Sequence, residues 1–161
     1  MLSSPTKSQS ETVFKTIKQM NVSGSFVIKD SDNYVEIGLD SLNKNVVGSV
    51  SLAQEKGITN VASKSFLIAN DQDIIQRIVE KDVVSNDICV GVYGFSDAQL
   101  FVQTYLELDK LTCRGELYIS HVIARLISSG QVFQKLIASS YVIGERSTSG
   151  ILSSVNLERF S

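Results

Sequence analysis

The sequence holds no tryptophan, one proline, one histidine and two cysteines among its 161 residues. Each shortage excludes something. Cys89 and Cys113 are too few for a disulfide framework and lack metal-ligand spacing. With His121 as the lone imidazole, a zinc site of the Cys/His kind is excluded. One histidine and no nucleophile motif leave no Ser–His–Asp arrangement to place. The ten glycines are scattered, and neither G-x-G-x-x-G nor G-x-x-x-x-G-K-[ST] occurs. No apolar run approaches the roughly 18 residues of a membrane span. The start, Met1 to Gln9, is polar and has no apolar segment of a secretory signal. A basic excess is missing too: 15 Lys+Arg against 17 Asp+Glu give a net charge of −2. That argues against a nucleic-acid or anionic-membrane surface. The cytoplasm is the expected compartment.

What remains is a globular mixture, 43% hydrophobic and 20% charged. A chain of this length buries on the order of 70% of its unfolded surface, enough for a core without covalent staples. Ser8 and Glu11 form a capping box ahead of Val13, Phe14, Ile17 and Met20, whose spacing predicts a helix over 10–20. Ser25–Ile28 reads as a buried strand. Tyr34–Ile37, Val46–Leu52, Ser65–Ile68, Ile74–Val79 and Ile88–Phe95 follow as strand candidates, set apart by Asn, Asp, Gly and Lys. From Asp97 the period changes. Ala98, Phe101, Val102 and Tyr105 share a helical face, and a further helix is predicted over 116–129 with Gly130 closing it. Val132–Ile137 reads as a closing strand. The class is α/β, a mixed sheet with flanking helices. No linker divides residues 1–143, and 144–161 form a tail without pattern.

Asp30-Ser31-Asp32-Asn33 is the most informative local feature. Two carboxylates two apart, just past a buried strand, can hold a hard divalent cation together with substrate phosphates. The same residue types are also ordinary turn formers. Glu80 and Lys81 end the Ile74–Val79 strand, where a lysine can meet a phosphate and a glutamate can accept from hydroxyls. A solvated charge pair at a turn is the plainer alternative. Gln9, at a helix start, can meet a base or ribose. His121 is expected to pack or face solvent, and Cys89 and Cys113 to pack as small hydrophobes.

The order of these pieces resembles the sugar-nucleotidyltransferase family, the enzymes that join a sugar phosphate to a nucleotide, and its capsule- and lipopolysaccharide-type branch in particular. Thr6 to Val13 is similar to that branch's T-x-G-Q-A-E-T-V segment, with Ser8 in place of the glycine. Phe26 to Asn33 resembles its strand and D-x-D-N metal motif. Ile78-Val79-Glu80-Lys81 and Gly91-Val92-Tyr93-Gly94-Phe95 follow its I-x-E-K and G-x-Y-x-F order. Glu116 to Ile123 is similar to its E-x-Y-[IL]-[ST]-x-x-[IL] helix. The likeness spans residues 6–142.

The resemblance implies a GT-A-like fold acting on a nucleoside triphosphate and a sugar phosphate. It implies Mg²⁺ held by Asp30 or Asp32, Lys81 on the sugar phosphate, Glu80 on the sugar hydroxyls and Gln9 near the base. The strand of Gly91 would wall the sugar pocket. Two departures bear on activity. The family's opening strand and Gly-rich, Arg-containing loop have no counterpart here, and Ile143 stands where a second acidic metal ligand is expected. The resulting expectation is a domain lacking its N-terminal nucleotide-binding portion, inactive alone and prone to self-association. A non-catalytic module that binds sugar phosphate or assists assembly is the alternative.

Overall fold

The computed structural model describes residues 5–38, 43–54, 58, 60–112, 115–143 and 156–158. Helix α1, Gln9–Met20, begins where Ser8 Oγ accepts from the Glu11 amide, while the Glu11 carboxylate accepts from the Lys7 amide at 2.5 Å. The two orphan donors are thus satisfied reciprocally, one residue earlier than the standard box. Asn21, in the left-handed region at φ 50°, ends the helix. Val13 and Ile17 are buried, but Met20, the last residue of α1, is half exposed.

Strands β1, Phe26–Lys29, and β2, Asn33–Glu36, follow, then β3, Val46–Ser51, β4, Ser65–Ala69, β5, Ile75–Glu80, and β6, Asp87–Phe95. Helices α2, Ala98–Leu111, and α3, Ile119–Ser128, precede β7, Gln134–Ile137, β8, Ser140–Ile143, and β9, Asn156–Glu158. The β3–β7 pairing is parallel and the others are antiparallel, so the sheet is mixed. Helix α3 starts three residues later than its apolar pattern suggests. Residues 116–118 instead form a non-helical lead-in, where the Ser10 hydroxyl donates to the Leu117 carbonyl. At the other end, the Gly130 amide reaches Ile127 O and the Gln131 amide reaches Leu126 O, both at 3.0 Å. This is a Schellman end, with Gly130 at φ 93°.

The nine residues of β6 are the spine of the molecule. β3 lies along one edge, while β1 and β4 share the other. Alternation along β6 builds two cores. Cys89, Tyr93 and Phe95 face the helices, where Phe26, Phe95, Phe101 and Phe133 pack ring on ring with centroids 5.1 to 5.8 Å apart. Ile88, Val90 and Val92 face the other way, under the ribbon formed by β2 and β8. Residues 156–158, inside the unpatterned tail, pair with the outer edge of β1. Cys113 lies outside the described residues. Among those described, no helix is long and apolar enough to cross a membrane.

Candidate functional site

The site arises where β1 and β4 meet on one edge of β6. Lys29 pairs with Val92, and Phe66 with Ile88, so the end of β1 abuts the start of β4 opposite Cys89–Gly91. The chain leaves β1 as the Asp30 amide donates to Gly91 O at 2.8 Å. A cavity of about 700 Å³ opens there. Crevices at strand ends are the usual ligand sites of open α/β sheets. Gln9, Asp30, Asp32, Glu80, Lys81 and Gly91, the six residues singled out in the sequence, all line it.

Gly91 meets two constraints at once. Its φ of 73° is left-handed, and a Cβ there would come within 2.6 Å of Asp30 Cγ. The absence of that side chain lets the Asp30 carboxylate lie against the strand. Asp30 in turn accepts from the Gln9 amide group. Burial, and then the neighbouring charge of Asp32, push its carboxyl up to about 6, against the pull of Gln9, Lys29 and Lys64. Lys29 ties the turn down, its ammonium donating to Asp30 O at 2.6 Å and Asn33 O at 2.7 Å. The Asp30–Asn33 segment is thus both a turn and part of the cavity wall. Two carboxylates facing a roomy cavity suit a hard cation that retains waters and takes phosphate oxygens. No group of three His, Cys, Asp or Glu side chains able to hold a metal occurs among the described residues.

Across the cavity stand Glu80 and Lys81. Consecutive strand residues normally face opposite sides, but Lys81 is left-handed at φ 57°, and both side chains line the cavity. Glu80 Oε2 accepts from Ser65 Oγ at 2.5 Å and Ser120 Oγ at 2.6 Å. The Lys81 ammonium donates to the Tyr118 hydroxyl and sits 4.1 Å from that ring's centroid. The Tyr118 bond is the main reason its pKa is raised.

Sequence reasoning missed Lys64, Ser65 and Tyr141 as cavity residues. Lys64 donates to Tyr141 at 3.1 Å, and its carbonyl accepts from the Lys81 amide at 3.0 Å. The signal was the β4–β5 pairing, which sets Ser65 opposite Glu80. Cys89 and Tyr93 are buried in the cavity floor, and burial pushes both of their pKa values up. His121 lies away from the cavity lining, and its Nδ1 accepts from the Tyr118 amide at 3.2 Å. It caps α3.

With this geometry in view, the solved structures are decisive for the fold. A nucleoside-diphosphate-sugar pyrophosphorylase from Vibrio cholerae superimposes with a TM-score of 0.68 at 20% identity, over 84% of this chain and 59% of that one. The fold is sugar-nucleotidyltransferase-like. An inositol-1-phosphate CTP transferase from T. maritima gives 0.62 at 12% identity, covering 86% of this chain and 56% of its own. A UDP-glucose pyrophosphorylase in complex with UDP-glucose gives 0.60 at 15% identity, covering 84% and 56%. The chain therefore spans between half and two thirds of the length of these structures. At the level of sequence, no family profile and no curated protein matches it.

Proposed function

We propose that this chain carries the sugar-phosphate half of a nucleotidyltransferase site, of a cytoplasmic lineage that makes nucleotide sugars for surface polysaccharide. Asp30 and Asp32 hold Mg²⁺, which when bound neutralises phosphate charge. Lys81 meets the sugar phosphate, Glu80 accepts from sugar hydroxyls, and the strand of Gly91 walls the sugar. Gln9, bonded to Asp30, stands at the end where the nucleotide would lie. The observation that carries this reading is the convergence of Asp30, Asp32, Glu80 and Lys81 on one cavity at the meeting of three strands. Transfer of this kind asks for placement and charge neutralisation and uses no protein nucleophile.

The 161 residues alone are expected to bind without turnover. Ile143 in place of a second acidic ligand favours a non-catalytic module as the second reading. Calorimetry with glucose 1-phosphate in Mg²⁺ should give a binding isotherm that Asp32→Ala abolishes. Absence of heat with the intact chain would overturn the reading. Pyrophosphate release from a nucleoside triphosphate and glucose 1-phosphate, lost in Asp32→Ala, would overturn the expectation of no turnover.

A further inference from the structure

Glu116, Tyr118 and Ser120 alternate along the lead-in and first turn of α3, and all three line the cavity. Their partners are ordered too. Tyr118 holds Lys81 and Ser120 holds Glu80, so residues two apart on one segment grip neighbours on another. The chemistry of each grip is directional. The Tyr118 hydroxyl donates its proton to Glu116 Oε2 at 2.6 Å, which leaves its lone pairs to accept from the Lys81 ammonium. The ring adds a cation–π contact. At Glu80, both hydroxyls bond the same oxygen, Oε2. Among the described residues no donor is recorded on Oε1. The segment itself is pinned, by Ser10 to the Leu117 carbonyl and by His121 to the Tyr118 amide.

We infer that Tyr118 and Ser120 are separate positioning residues: Tyr118 sets the Lys81 ammonium for a phosphate, and Ser120 sets Glu80 for a sugar hydroxyl. This rests on the functional reading above and adds a division of labour to it. The α3 lead-in is then a two-pronged brace. Its position depends on the first turn of α1, where Ser10 sits beside Gln9, which bonds Asp30.

The test compares inorganic phosphate with glucose 1-phosphate, both in Mg²⁺, by calorimetry. Ser120→Ala should weaken glucose 1-phosphate about 5- to 10-fold, the size of one ordinary hydrogen bond, and leave phosphate within about 2-fold. Ser120→Thr should restore the sugar ligand. Tyr118→Leu should weaken both ligands, with Tyr118→Phe between it and the intact chain. For Ser120 a merely structural role would move both ligands alike, so equal weakening by Ser120→Ala overturns the inference; both ligands carry phosphate, so for Tyr118 the discriminating readout is its contact with Lys81. A ligand-free readout separates the two claims. Lys81 ε-protons should show nuclear Overhauser contacts with the Tyr118 ring protons in the intact chain, weaker in Tyr118→Phe. Absence of these contacts in the intact chain also overturns the inference. If the intact chain binds neither ligand, the functional reading fails, and the Lys81–Tyr118 proton contacts alone decide whether Tyr118 holds Lys81.

Discussion

At the residue scale the contact between Gly91 and Asp30 concentrates the most physical constraint. Two glycines separate its components. Gly24 has φ 75° and open space within 4 Å of where a methyl would sit, whereas at Gly91 the methyl would overlap the Asp30 side chain. Gly24→Ala should therefore cost about 1–2 kcal/mol, the penalty of a left-handed alanine alone. Gly91→Ala should cost clearly more, and urea unfolding of both variants measures the difference; equal losses would remove Asp30 from the account. Asp30 also makes stability depend on pH. Its carboxyl titrates near 6 in the folded chain against 3.8 as the ordinary value. Between these values the folded state binds more protons than the unfolded, so the contribution of Asp30 is full below about pH 4, falls as pH rises, and is level above 6. Asp30→Asn removes the slope while keeping an oxygen to accept from Gln9. In metal-free buffer at pH 8 it should exceed the parent by about 3 kcal/mol at most, with no gain at pH 4. Parallel denaturation curves across that range would contradict this.

At the element scale, local chemistry and tertiary pairing divide the fold between them. α2 is legible from its cap, since Asp97 Oδ1 accepts from the Gln99 amide at 2.8 Å and the Leu100 amide at 3.3 Å. Asp97→Ala should destabilise by about 1 kcal/mol, measured by thermal or urea melts, and a neutral result would mean that packing of Phe101 and Tyr105 alone holds the helix start. The long apolar runs of β6 and the α1 capping box were equally readable, because their signals lie within the segment. The start of α3 was not. Glu116–Tyr118 continue the helical pattern, but they are held out of the helix by Ser10, 107 residues away in sequence. β8 escaped notice for the same reason: Ser140–Ile143 is four residues long, and its strand character comes from pairing with β2. Among the described residues β9 pairs with β1 alone.

At the scale of the whole molecule, the candidate site shows the same division. Asp30, Asp32, Glu80 and Lys81 stood out because clustered charges at strand ends are visible in one dimension. Lys64, Tyr118, Ser120 and Tyr141 acquire their places in the cavity only when three separate segments converge. That convergence gives the cavity a definite electrical character. Four carboxylates, Asp30, Asp32, Glu80 and Glu116, face two lysines, Lys64 and Lys81. A dianionic phosphate entering alone meets a surplus of negative charge, and a divalent cation entering alone lacks the phosphate oxygens that would complete its shell. Each ligand removes the obstacle to the other, so their binding must be coupled, and coupling is reciprocal. Thermal melts with Mg²⁺ alone and glucose 1-phosphate alone should show little stabilisation. Both together, at about 100 times the dissociation constant, should add roughly 2.7 kcal/mol. Asp32→Asn removes a cation-holding carboxylate, so the joint stabilisation by Mg²⁺ and glucose 1-phosphate should be lost in it, as calorimetric binding is in Asp32→Ala. If the two ligands stabilise independently and additively, phosphate and cation do not share this cavity.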